Sequence, residues 1–167
     1  MSALLRGHQI ATDDYVALAD DESGSEGSRV IVSLARWLEQ GEALAGRFDQ
    51  VGVRLPNTVE LSTIWAGLAS RPLIELDFPA FADGRAYSQA RLLRDRYGFS
   101  GEIRASGMAV VRDQMQSMAR AGIDSFVLRA DQDANSCLAA LRDFNLAYQP
   151  AADRLPIVSA LRRSAGP

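Results

Sequence analysis

The chain contains no lysine; all 18 of its basic residues are arginine. That absence removes Schiff-base catalysis, a pyridoxal-phosphate anchor and the lysine of a Walker A loop in one step. There is one cysteine, Cys137, so an internal disulfide is excluded, which fits a reducing compartment. There is one histidine, His8, so no Cys/His cluster can form for zinc, haem or an iron–sulfur centre. No apolar run approaches the roughly 18 residues of a membrane span. The N-terminus lacks a charged segment followed by a long apolar core, so the expected location is the cytoplasm. A net charge of −3 argues against phosphate-neutralising nucleic-acid binding.

What remains is an ordinary globular composition, 47% hydrophobic and 23% charged over 167 residues. This is enough for one domain with a real core. The first 28 residues read as a polar N-terminal arm ending in the acidic Gly/Ser stretch DDESGSEGS, with short strands near Gln9–Ala11 and Tyr15–Ala19. Residues 29–148 read as a single α/β domain, and 149–167 as a loosely attached tail.

Within the domain, short extended runs alternate with helical ones. Arg29–Leu34 leads into a helix over Ala35–Arg47. Val51–Leu55 precedes Thr58–Leu68, with Thr58 as a cap. Leu73–Phe78 precedes Arg85–Tyr97, Gly101–Ala105 precedes Ala109–Ala121, and Ser125–Arg129 precedes Ala134–Asp143. Gly98 and Gly122 stop two of the helices. Five strand–helix units imply an α/β fold with a mostly parallel sheet and right-handed crossovers, most often a three-layer sandwich.

The strands carry charges that fully covered parallel strands lack. Arg54, Glu75, Asp77, Glu102, Arg104 and Arg129 recur with period two, so Glu75 shares a face with Asp77, and Glu102 with Arg104. One sheet face could be solvated, or the charges could line a cavity as in part of a barrel lumen. They could also form cross-strand ion pairs.

The junctions after the third and fourth of these strands are the candidate site, because ligands of parallel sheets bind at the carboxyl ends of strands. At the first, Asp83 is a cap, Gly84 makes the turn and Arg85 places a charge at a helix start. Tyr87 and Ser88 add hydroxyls, and Arg91 lies one turn on. At the second, Gly107 permits close backbone approach, and Arg112, Asp113 and Gln114 occupy the next helix start. Such helix starts suit a small anion. No G-x-G-x-x-G occurs, so a Rossmann-type nucleotide site is unsupported. No cofactor and no metal ligand set is read from the residues. His8 reads as a surface residue, Cys137 as a buried inert thiol, and Trp37 and Trp65 as packing.

With LDFPAFADGRAYSQARLLRDRYGFSGEIRASG and VRDQ in view, the chain resembles a bacterial family of unknown domain function linked to sulfite reduction as oxidoreductases. The resemblance runs from VIVSLARWL to DFNLAYQ. It rests on Asp77, Phe78, Phe81, Asp83, Gly84, Arg85, Tyr87, Ser88, Arg91 and Arg94, then on Gly101, Glu102, Arg104, Ala105, Gly107, Arg112, Asp113 and Gln114. It implies an accessory protein or oxidoreductase of sulfite reduction and sulfate assimilation, with sulfite reductase or another sulfur-assimilation enzyme as partner. Two alternatives stay open: a non-catalytic partner of a reductase complex, and an unrelated acid/base enzyme acting on a small molecule. The chain departs from the family at Met108 and Ala109, which replace Asp-Val, and at Ala121, where many relatives have Cys. Neither an acidic role at position 108 nor a thiol mechanism carries over. An oxidoreductase built from these residues would borrow its electrons.

Overall fold

The computed structural model describes residues 3–143, 146–152 and 156–164. Positions 153–155 and 165–167 of the expected tail lie outside the described residues, as do 144–145.

The chain order is β1 (Leu4–Arg6), β2 (Gln9–Ala11), β3 (Tyr15–Ala17), β4 (Arg29–Ser33), α1 (Leu34–Arg47), β5 (Gln50–Leu55), α2 (Leu61–Leu68) and β6 (Leu73–Asp77). It continues with α3 (Arg85–Asp95), β7 (Glu102–Ser106), a 3₁₀ turn (Arg112–Gln114), α4 (Met115–Arg120), β8 (Ser125–Val127), α5 (Ala134–Ala140) and α6 (Val158–Ser164). No helix among the described residues is long and apolar enough to cross a membrane.

The strands form one sheet in the order β2-β1-β8-β7-β6-β5-β4-β3. Strands β3 to β8 are parallel; β1 pairs antiparallel with β8, and β2 antiparallel with β1. Because β3 to β8 lie in chain order, every right-handed crossover steps the same way and puts its helix on the same face. The three-layer sandwich, which needs helices on both faces, therefore gives way to a singly wound sheet.

That sheet is strongly curled, and the linker Thr12–Asp14 shows why. It joins β2 to β3, which sit at opposite ends of the strand order. In a flat sheet those strands would lie roughly 34 Å apart. A three-residue linker spans at most about 14 Å. The ends must approach each other, giving a half-barrel. Side chains confirm the approach. Asp14 pairs with Arg6 of β1 at 3.9 Å and with Arg29 of β4 at 3.7 Å. The Tyr15 ring of β3 lies 5.5 Å from the guanidinium of Arg104 on β7.

Alternation then sorts the residues. Val53 and Leu55, Ile74 and Leu76, Ile103 and Ala105, and Phe126 face the helices and build the main core. Helix α3 meets it with Ala86, Gln89, Ala90 and Leu93, the spacing of one helical stripe. Val30, Val32 and Val51 pack with Leu44 and Phe48 in a second cluster.

Of the period-two charges, Arg54, Glu75, Glu102 and Arg104 are paired on the inner, concave face, Arg129 pairs with Asp131 beyond β8, and Asp77 stays without a bonded partner among the described residues. Arg104 is 0% exposed and bonded to Asp13 and Glu102. Glu102 also accepts from Ser125 at 2.5 Å and pairs with Arg6 at 3.3 Å. The barrel-lumen and ion-pair readings thus describe the same face.

Three local expectations shift. The stretch expected as a polar arm holds β2 and β3 where short strands were expected, but it also supplies β1, and Leu5 is fully buried in the main core. Residues 109–111 are not helical: Val111 is extended at φ −130°, ψ 160°, and Arg112–Gln114 form a 3₁₀ turn before α4. Helix α2 starts at Leu61 with Glu60 as its cap position, later than Thr58.

Candidate active site at the mouth of the curled sheet

The carboxyl ends of the parallel strands converge on one rim, the mouth of the half-barrel. The concave-face residues nearest that rim are Arg54 on β5, Glu75 and Asp77 on β6, and Ser106 on β7. Arg54 stands directly opposite Glu75 in the sheet register, and Asp77 opposite Ser106. Arg54 Nε donates to Glu75 Oε1 at 2.5 Å, and Ser106 Oγ donates to the same oxygen at 2.7 Å. Glu75 is 2% exposed and Arg54 47%. A buried carboxylate thus fixes the stem of an arginine whose head is in solvent. Among the described residues, Nη1 and Nη2 of Arg54 have no partner.

Asp77 ends β6. Its carboxylate accepts no hydrogen bond among the described residues, and burial raises its pKa above the usual carboxylate range, against the opposing pull of Arg54. Gly107 backs it with φ +111°; a Cβ there would sit 2.8 Å from Asp77 Oδ1 and 2.6 Å from the Phe78 carbonyl oxygen. Only glycine fits this approach and this backbone region.

The first sequence-predicted junction is built around Asp83. Its carboxylate accepts from the Arg85 backbone N–H at 3.1 Å, and from Arg85 Nε and Nη2 at 2.9 and 2.6 Å. Asn57 donates to it at 2.7 Å. These bonds, those from Arg85 first, hold its pKa far below the usual range. Asp83 itself therefore occupies the helix start at which a ligand anion was expected. Gly84 is the cap residue of α3. Ser88 is exposed.

The second junction is linked to the first through Tyr87, whose hydroxyl donates to Gln114 Oε1. Burial raises the Tyr87 pKa. Arg112 lies farther round. Its backbone N–H donates to Gln132, and its guanidinium sits 3.7 Å from both Asp113 and Asp143. Arg91 pairs with Asp95 at 2.6 Å along its own helix. Of the predicted lining, Glu75 and Asp77 reach the mouth, whereas Glu102 and Arg104 belong to the ion-pair network deeper in the curl.

Sequence reasoning placed Arg54 only among the strand charges that could line a cavity, and missed Asn57. Arg54 was visible as an odd charge in an apolar strand, but its partner depends on strand register. Phe81 and Met108, 66% and 61% exposed, project from the loops after β6 and β7. His8 is exposed and Cys137 buried, as expected.

A concavity of about 1060 Å³ lies at the opposite end of the strands, lined by Arg94, Arg142, Phe99 and Asp124 among others. Its arginines serve the structure. Arg94 donates to the carbonyls of Gly122, Phe99 and Gly101, and Arg142 to that of His8. At the mouth, by contrast, the exposed head of Arg54 keeps both terminal nitrogens without a partner among the described residues. Among the described residues no group of three or more His, Cys, Asp or Glu side chains is arranged to hold a metal ion.

No curated protein matches the chain. Residues 52–158 match the family model described as bacterial protein of unknown function (DUF934). That segment contains Arg54, Asp77, Asp83 and Gly107, and with most of the chain inside it the protein belongs to this bacterial family of unknown function.

Proposed function

We propose that the protein binds a small oxyanion at the mouth of the curled sheet and works in sulfite reduction and sulfate assimilation, as an accessory protein or oxidoreductase. One observation carries the binding site. Arg54 commits only Nε to Glu75, leaving both terminal nitrogens on an exposed head. A planar pair of N–H groups held from behind suits a sulfur or phosphorus oxyanion. Arg85 and Arg112 contribute positive charge around the rim, already shared with Asp83, Asp113 and Asp143. The metabolic setting rests on the sequence resemblance around DFPAFADGRAYSQARLLR. Any redox step would use electrons from a bound cofactor or a partner enzyme.

The test is thermal melting with sulfite, sulfate and phosphate. A specific ligand raises the melting temperature with the logarithm of its concentration. The wild type is expected to be stabilised and Arg54→Ala to show no shift. Equal shifts in both proteins would place the anion elsewhere.

Phe81 and Met108 favour a second reading, docking on a sulfite reductase without catalysis. Two exposed apolar side chains flanking the mouth are suited to a protein contact. In that case Phe81→Ser with Met108→Ser abolishes co-purification with the reductase while leaving the fold intact.

A further inference from the structure

We propose that anion binding at this mouth is proton-coupled. The oxyanion sits across Arg54 and Asp77 and arrives with one proton, which bridges the Asp77 carboxyl group and an anion oxygen. This rests on the oxyanion reading above and narrows it, since the ligand must offer an oxygen that accepts a hydrogen bond from a neutral carboxyl group.

Asp77 is set apart by what it lacks. Glu75 accepts from Arg54 and Ser106. Asp83 accepts from Arg85 and Asn57. Asp131 accepts from Arg129, and Asp113 and Asp143 flank Arg112. Of these carboxylates, only Asp77 has neither a hydrogen bond nor an ion pair among the described residues. It lies two residues beyond Glu75 on the same face, so it is the diagonal neighbour of Arg54, within reach of long side chains or of a ligand between them. Gly107 lies close against it, and a Cβ there would meet Asp77 Oδ1 at 2.8 Å.

The charged groups facing Asp77 come from three places: Arg54 on β5, Glu75 on its own strand, and Asp83 in the loop before α3. Strand β7 and its loop present Ser106 and Gly107, which do not titrate in this range. Burial already favours the neutral acid, Arg54 opposes it, and Glu75 and Asp83 assist. An incoming anion adds negative charge and screens Arg54. Both effects push the Asp77 pKa up, so binding draws a proton from solution. Above the pKa of the free site, affinity therefore falls as pH rises.

The experiment is calorimetric titration of the full chain with sulfate, which carries no proton of its own near neutral pH. Buffers of different ionisation enthalpy are used, from mildly acidic to mildly alkaline. Uptake of about one proton per sulfate is expected, with affinity falling about tenfold per pH unit in the upper part of the range. Asp77→Asn should bind without uptake and with a flat pH profile. Arg54-dependent binding with no proton uptake by the wild type would overturn the proposal, and that measurement does not depend on any variant of Asp77 folding. Uptake that survives Asp77→Asn and disappears in Glu75→Gln would assign the proton to Glu75 instead. If sulfate does not bind, or binds equally to Arg54→Ala, the oxyanion reading fails and this proposal fails with it.

Discussion

At Gly107 two constraints coincide: a backbone φ of +111° and less than 3 Å of room for a side-chain atom. Gly107→Ala is expected to cost about 1–3 kcal/mol for the backbone strain. The further displacement of Asp77 should appear as a lower urea midpoint together with weaker anion stabilisation. Asp77 and Asp83 act on stability in opposite senses. The Asp77 pKa is raised on folding, so the folded chain holds a proton that the unfolded chain has lost. Stability then falls as pH rises between the two pKa values, and the penalty persists at neutral pH. Asp77→Asn should melt higher than the wild type at neutral pH and show no such gain in strong acid. The Asp83 pKa is lowered, so its contribution is present at neutral pH and is lost as acid protonates it. Asp83→Asn should therefore melt lower at neutral pH, and scanning calorimetry against pH would show the two variants diverging in opposite directions.

The elements of the domain were largely legible one by one. β-branched runs marked β4 and β5, and Gly98 and Gly122 follow the ends of α3 and α4. Strand β1 was not legible, because Leu4-Leu5-Arg6 is three residues with no alternation to detect. The delayed start of α4 was also hidden. Ala109–Val111 suit a helix by composition, yet Val110 is buried and the Met108 carbonyl is held by Arg129. The role of Arg54 could not be read at all, since its meaning comes from standing opposite Glu75 on the next strand. Deeper in the curl, Arg104 joins β7 to the linker before β3 through Asp13, 91 positions away. Arg104→Ala should cost about 3 kcal/mol, the low end for breaking a buried pair. Glu102 keeps Ser125 and Arg6 as partners, which limits the damage. Limited proteolysis should cut the Thr12–Asp14 linker faster in this variant.

On the scale of the whole molecule, both edges of the sheet come from the first seventeen residues, β2 on one side and β3 on the other. A chain beginning at residue 15 loses Leu4 and Leu5, worth about 1.5–3 kcal/mol each when buried. It also uncovers the β8 edge and leaves Arg104 without Asp13. It is expected to bind an apolar dye and to melt without a cooperative transition. Beyond its hairpin with β2, strand β1 joins the rest of the sheet through β8, with Leu4 opposite Val127. During synthesis β1 must therefore wait until nearly the whole domain has been made. Strands β4 to β7 have sequential neighbours and can assemble as they emerge, while an unpaired N-terminal hairpin trails beside them. The β1–β2 hairpin is thus the last part of the sheet to be placed, and a nascent chain stalled before Ser125 would present that hairpin to chaperones.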